Sequence, residues 1–147
     1  MTEKIKKLGA AAYPMLIAAA AAVVGLIVYI VNATTGYMAG REINGLVVAA
    51  TLASIVLLAA AVLCADRLDS KLVDLMLVLA GVLLIAGFSL FLLDRVSIIA
   101  DIYFLPVNYP DSEAATMNGA LAGFALYLVS IVMTIAAAFI TRPGEAD

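Results

Sequence analysis

The amino-acid sequence predicts an all-α integral membrane protein: one bundle of four transmembrane helices that run up-down-up-down. Hydrophobic residues make up 66% of the 147 residues and charged residues only 13%. Soluble domains are about half apolar and about one quarter charged. Four uncharged stretches approach or exceed the length of about 20 residues that a helix needs to cross a bilayer. The connections after the first and second stretches are short, which makes consecutive helices antiparallel neighbours.

The four predicted spans form a single domain, residues 1–147, and cover residues about 10–33, 43–65, 72–94 and 113–140. Each is a continuous apolar run without alternating polar residues, which argues against a transmembrane β-barrel. Backbone groups in lipid must be hydrogen-bonded within their own segment, so each run is expected to be helical. The first run exceeds the apolar core of a signal peptide and three more follow it, so we interpret it as a retained helix.

Lysines and arginines are distributed unequally between the two sides of this arrangement. Arg41 and Arg95 lie on one side. Six lie on the other side: Lys4, Lys6, Lys7, Arg67, Lys71 and Arg142. Positively charged residues accumulate in cytoplasmic loops. We therefore expect a multi-pass protein of the cell membrane with both termini in the cytoplasm.

The connection between the third and fourth spans, residues 95–110, is unusually apolar for a loop. Its pattern predicts that the third helix continues beyond the membrane, or bends onto its external surface, until Pro106 and Pro110 stop it. One interpretation is an external docking surface or a lid. The other is an interfacial anchor that seals the bundle, for which Tyr103 and Phe104 are suitable residues. We favour the anchor, because a membrane interface is always available to bury the apolar face.

Small and polar residues recur at spacings of three or four along one face of the fourth span. With one counterpart from the first span, they form what we call the small-residue stripe: Gly119, Gly123, Tyr127, Ser130, Thr134 and Gly25. Small residues let two helices approach closely, and serine or threonine hydroxyls can hydrogen-bond across the contact. We predict that the stripe packs helices together within one bundle; the alternative is that it contacts another copy or another membrane protein.

Charged residues are absent from the central half of every predicted span and gather at the helix ends. The predicted external end holds five residues that we call the outer-rim cluster: Arg41, Glu42, Asp94, Arg95 and Asp101. Such a cluster can bind an ion, but we expect its members to pair with one another and fix the helix ends. The lack of a carboxylate in the central half of any span argues against a proton-coupled exporter.

The composition also excludes several kinds of chemistry. The chain has no histidine and a single cysteine, Cys64. Histidine-ligated metals, a histidine general base and an internal disulfide are therefore excluded. A net charge of −3 without a basic patch argues against a nucleic-acid partner. We expect no cofactor, no metal and no enzymatic activity.

These features together predict a non-catalytic accessory or interaction subunit of a membrane assembly, such as a transport system. Its expected partners are the lipid bilayer and either another membrane protein or further copies of itself. The alternative is a self-assembling channel or carrier for a neutral solute. Because four short helices enclose little space, several copies would have to line its pore with Tyr29, Tyr127, Ser130 and Thr134. A membrane enzyme would depend on the outer-rim cluster, which has no nucleophile beside it.

Overall fold

The computed structural model describes residues 12–35, 43–64, 69–104 and 111–140, together with Gly9 and Arg67. The helices are α1 (Ala12–Thr34), α2 (Gly45–Leu63), α3 (Ser70–Asp94), α4 (Val96–Ile99), a π-helical turn (Ala100–Phe104) and α5 (Asp111–Phe139). Arg41 and Glu42 of the outer-rim cluster lie outside the described residues, as do Pro106 and Pro110.

Four of these helices, α1, α2, α3 and α5, are long and apolar enough to span a membrane. The shortest, α2, has 19 residues, which at about 1.5 Å per residue matches the hydrocarbon thickness of about 30 Å. For the residues that the structure describes, this confirms the predicted all-helical fold with four helices long and apolar enough to span a membrane, as a multi-pass membrane protein requires.

The four long helices close a ring around a shared core. The most extensive contact joins α1 to α5, and the next joins α2 to α3; contacts between α3 and α5 and between α1 and α2 complete the ring. The largest fully buried apolar side chains in the core include Tyr29, Phe91 and Tyr127. Since hydrocarbon competes for apolar side chains as well as a neighbouring helix does, close packing has to hold these helices together.

Apolar side chains cover the outside of the bundle as well as its core. On α3, for example, Val78, Val82 and Leu93 are all exposed. Soluble monomers rarely expose such extended apolar surface. The outer faces of the four long helices are therefore suited to contact with lipid or with another membrane protein.

A helical segment follows α3 after a single break at Arg95. The break residue has φ −109° and ψ 5°, and its backbone N–H donates to the Leu92 and Leu93 carbonyls. The chain then continues through α4 and the π-helical turn, which we call the 96–104 segment. Ile98 anchors this segment because its side chain is buried, whereas Val96, Tyr103 and Phe104 are exposed. Asp101 lies in the π-helical turn.

Candidate functional site

Four aromatic rings fill the centre of the bundle between α1, α3 and α5. Phe91 packs edge-to-face against Tyr29 and against Phe124, with ring centroids 4.8 Å apart in both pairs. Tyr127 extends the cluster, with its ring 6.0 Å from that of Phe91. Edge-to-face pairs of this kind contribute about 0.5–1.5 kcal/mol beyond their burial. The rings therefore occupy the space in which a four-helix bundle would otherwise hold a ligand.

Arg95 lies directly above this aromatic cluster and only 1% of its surface is exposed. Its Nε donates a 2.8 Å hydrogen bond to Asn32 Oδ1. Its guanidinium carbon is 5.3 Å from the Phe91 ring centroid and 5.8 Å from that of Tyr29. Both distances allow cation–π attraction, which helps to offset the cost of burying the charge. The sequence pattern predicted this arginine at an outer rim, but its side chain lies inside the protein.

Asn32 connects Arg95 to the beginning of α5. While its Oδ1 accepts from Arg95, its Nδ2 donates a 2.8 Å hydrogen bond to the Thr116 carbonyl. These partners fix the orientation of the amide, because only its oxygen can face the guanidinium and only its nitrogen can face a carbonyl. One α1 side chain therefore joins the end of α3 to the first turns of α5.

Asp94 joins the same end of the bundle to α2. The Tyr29 hydroxyl accepts from the Asn44 backbone N–H at 2.9 Å and donates to Asp94 Oδ2 at 3.4 Å. The Asn44 side chain also donates to Asp94 at 3.4 Å, and its oxygen caps α2 by accepting from the Leu46 N–H. The two 3.4 Å contacts are long for hydrogen bonds and contribute weakly. We call the whole set the Arg95-end network: Tyr29, Asn32, Asn44, Asp94, Arg95 and Thr116.

Glu113 is a buried carboxylate at the same end of the bundle that does not belong to the outer-rim cluster predicted from the sequence. Only 2% of its surface is exposed, and it lies in the first turn of α5, where the helix dipole favours a negative charge. The spacing of Glu113 along the helix is the feature of the sequence from which its burial could have been predicted. Glu113 precedes Thr116 by three residues and Met117 by four, and all three side chains are buried on one face.

The glycines of the small-residue stripe lie where helices approach closely within the chain. A Cβ added to Gly123 would come within 2.7 Å of the Phe91 ring, and one added to Gly119 within 2.9 Å of Asn32 Nδ2. A Cβ on Gly25 would touch Leu126 and the Tyr127 ring at 3.4 Å. These glycines therefore set the spacing between α1, α3 and α5 inside one bundle.

The hydroxyl groups of the small-residue stripe are also engaged inside the chain. Tyr127 and Thr51 hydroxyls are 2.5 Å apart, and Thr51 Oγ1 is 2.7 Å from the Val47 carbonyl. Since Thr51 has one hydroxyl proton and donates it to that carbonyl, Tyr127 is the donor between the two. Ser130 donates to the Ala18 carbonyl of α1 at 2.7 Å, and Thr134 donates to the Ser130 carbonyl at 2.8 Å.

Among the residues that the structure describes, α5 borders two grooves on the outside of the bundle. The α1/α5 groove has a volume of about 440 Å³ and lies near Arg95; its lining residues are Ile27, Val28, Val31, Asn32, Thr35, Ala115, Thr116 and Gly119. The α3/α5 groove has a volume of about 300 Å³ and is lined by Leu77, Val78, Gly81, Val82, Ile85, Thr134, Ile135, Ala138 and Phe139. Both open towards the surroundings of the bundle.

Among the residues that the structure describes, no three histidine, cysteine, aspartate or glutamate side chains are grouped to hold a metal ion. No protein-family profile, curated protein or solved structure matches the chain. In the part of the chain that the structure describes, the polar groups of the interior join helices, and the exterior carries the two grooves on α5 and the exposed residues Val96, Tyr103 and Phe104.

Proposed function

We propose that this chain is a non-catalytic accessory or interaction subunit of a membrane assembly. The observation that carries the proposal is that polar side chains in the interior hydrogen-bond between helices of this chain. Tyr127, Ser130 and Asn32 each hydrogen-bond to another helix of the same chain. An interior of this kind stabilises one arrangement of helices and leaves recognition to the outer surface.

A channel or carrier for a neutral solute is supported less well. Its pore would have to be lined by Tyr29, Tyr127, Ser130 and Thr134, and each of these is buried in the core of a single chain. To face a pore between copies, Tyr29, Tyr127 and Ser130 would have to leave their present contacts with other helices. In hydrocarbon, the polar groups among them would then need new partners.

We further propose that the helices run up-down-up-down, with both termini in the cytoplasm of a cell. The six-to-two distribution of lysine and arginine supports this orientation. Contacts between helix ends support the alternating directions: Asn32, near the end of α1, bonds to Thr116, near the start of α5. Tyr29 likewise bonds to Asn44, which immediately precedes α2. In this orientation, the Arg95-end network and the 96–104 segment lie on the external side.

For the partner surface, we propose the outer face of α3 together with the 96–104 segment, which takes the docking interpretation of this segment instead of the membrane anchor that the sequence favours. Of the four spans, α3 buries the smallest share of its residues within the bundle. Leu93 at its end is 66% exposed, and Phe104 in the π-helical turn is 77% exposed. Aromatic residues on an apolar surface are also typical of protein interfaces. Ile98 and Arg95 hold this surface in a fixed position relative to the bundle.

Site-specific photocrosslinking in living cells tests this function. A photoreactive amino acid is introduced at Leu93 or Phe104, with Val24 as a control because it is exposed on α1, away from this surface. We expect a discrete adduct with one other protein from the first two positions and none from Val24. Adducts with lipid alone, or with a second copy alone, from all three positions would contradict an accessory role.

The channel alternative has its own measurement. We expect proteoliposomes of the purified chain to show no more uptake of small neutral solutes than empty vesicles do. Uptake that is abolished by Ser130→Leu and by Thr134→Leu, while Ala125→Leu at an exposed position retains it, would replace the accessory role with the channel.

A further inference from the structure

We propose that the α1/α5 groove is a binding site for one acyl chain of a membrane glycerophospholipid, from the leaflet at the Arg95 end. This inference goes beyond the proposed function and does not use the partner surface on α3. It rests on the position, the length and the polarity of the groove.

The groove lies between α1 and α5 and opens towards the outside of the bundle. Ile27 and Val31 form its α1 wall, and 55% and 53% of their surfaces are exposed. Both belong to the apolar span Ala12–Thr34. The medium that reaches this opening is therefore hydrocarbon, and any occupant has to be stable in contact with it.

The length of the groove corresponds to one leaflet of the bilayer. From Ile27 to Thr34, where α1 ends, the helix rises about 10.5 Å, at about 1.5 Å per residue. Half of the hydrocarbon core, by comparison, is about 15 Å thick. A partner helix would cross both leaflets and would need a contact surface of about twice this length. The volume of about 440 Å³ also lies in the range of sites for small ligands, about 300–1,000 Å³.

The polarity of the lining changes along the groove as that of a lipid does. Ile27 and Val28 line the part towards the middle of the bundle, and Asn32, Thr35 and Thr116 line the part at the Arg95 end. A glycerophospholipid has the same order, with a hydrocarbon tail in the membrane and ester oxygens at the interface. The α3/α5 groove has no comparable gradient, because Thr134 is the single polar residue in its lining.

Two small residues of α5 form the floor of the groove. Ala115 is exposed and leaves room for an occupant. Gly119 leaves room for Asn32, since an added Cβ would come within 2.9 Å of its Nδ2. Asn32 in turn holds Arg95. A bound acyl chain would therefore cover the side chain that joins α1, α3 and α5, and would stabilise the folded state by binding to it alone.

Lipid photolabelling of the full chain tests the proposal. The protein is reconstituted into phosphatidylcholine vesicles in which a fraction of the lipid has a photoactivatable diazirine in one acyl chain. We expect adducts to concentrate on groove residues in α1 and α5, as mapped by mass spectrometry. Ala115→Phe should fill the groove and remove most of these adducts. The matched control is Ala125→Phe, which changes another exposed alanine of α5, outside the groove, and should retain them.

Several results would overturn the lipid site. Adducts spread evenly over all lipid-facing positions would identify ordinary boundary lipid, and adducts unchanged by Ala115→Phe would mean that the groove is not occupied. Efficient disulfide crosslinking through Ala115→Cys, in a Cys64→Ser background, would identify a second copy as the occupant. If Ala115→Phe unfolds the chain, Val31→Phe replaces it: this substitution blocks the groove from α1 and should remove the same lipid adducts. None of these results depends on crosslinks from Leu93, so the lipid site and the accessory role can fail separately.

Discussion

The contact between α1 and α5 is built differently at the Arg95 end and in the middle of the bundle. At the Arg95 end, side chains reach across: Asn32 spans from Arg95 to the Thr116 carbonyl. In the middle, the contact residues Gly25 and Gly123 have no side chain, which allows the helices to approach closely. Directional bonds define which residues face each other, whereas missing side chains define how close the helices lie. In lipid, where no hydrophobic force drives helices together, the bundle depends on both.

The largest effect is expected from removing the interactions of the Arg95 side chain. Arg95→Leu removes the bond to Asn32 and the ring contacts, and it leaves the Asn32 oxygen without its charged donor. We expect the free energy of unfolding to fall by about 3 kcal/mol, combining a charged hydrogen bond with a desolvated cation–π contact. Unfolding by sodium dodecyl sulfate titration in mixed micelles measures this.

Two control variants accompany Arg95→Leu. Arg95→Lys keeps the charge but not the planar donor group, so an intermediate loss is expected. Arg67→Leu changes an exposed arginine and should stay within about 0.5 kcal/mol of the original chain. An equal result for Arg95→Leu and Arg67→Leu would show that the Arg95-end network does not stabilise the bundle.

The second largest effect is expected from adding a side-chain atom where the helices approach closely in the middle of the bundle. Gly123→Ala places a Cβ 2.7 Å from the Phe91 ring, which has to shift. We expect a loss of about 2 kcal/mol, typical of overpacking in a filled core. The matched control is Gly81→Ala, whose Cβ would meet only the Thr134 methyl group at 3.8 Å. That control should be neutral or stabilising, since alanine favours helix more than glycine does. Similar losses in both variants would contradict the assigned role of Gly123.

The two regions also differ in how far the sequence predicts them. The spacing of Gly123, Tyr127 and Ser130 along one helix is a local pattern, and it identified a single face of α5 that the structure places inside the bundle. The four spans were predictable for the same reason, because hydropathy is summed over neighbouring residues. The burial of Arg95 is different. It depends on Asn32, 63 positions earlier in the chain, and on Tyr29 from the same distant helix.

A third prediction tests whether polar bonds also contribute in the middle of the bundle. The Tyr127 hydroxyl bonds to Thr51 of α2, and Thr51 keeps its bond to the Val47 carbonyl when Tyr127 is changed. A double-mutant cycle with Tyr127→Phe and Thr51→Val isolates the bond between them. We expect a coupling energy of about 1 kcal/mol, within the range of hydrogen bonds between membrane helices. A coupling near zero would leave the aromatic and small-residue contacts as the stabilising elements of the middle.

The smallest effect is expected from Ser130→Ala, at the opposite end of the α1–α5 contact from Arg95. Its hydroxyl bonds to the Ala18 carbonyl, which also accepts the helical N–H of Ala22. Removing the hydroxyl therefore leaves no backbone group without a partner, and alanine preserves the close approach. We expect a loss of about 0.6 kcal/mol in the same unfolding assay. Ser54→Ala is the matched control, because the Ser54 hydroxyl bonds only within its own helix. A loss as large as that of Arg95→Leu would mean that polar bonds, and not small residues, hold α1 against α5 along its whole length.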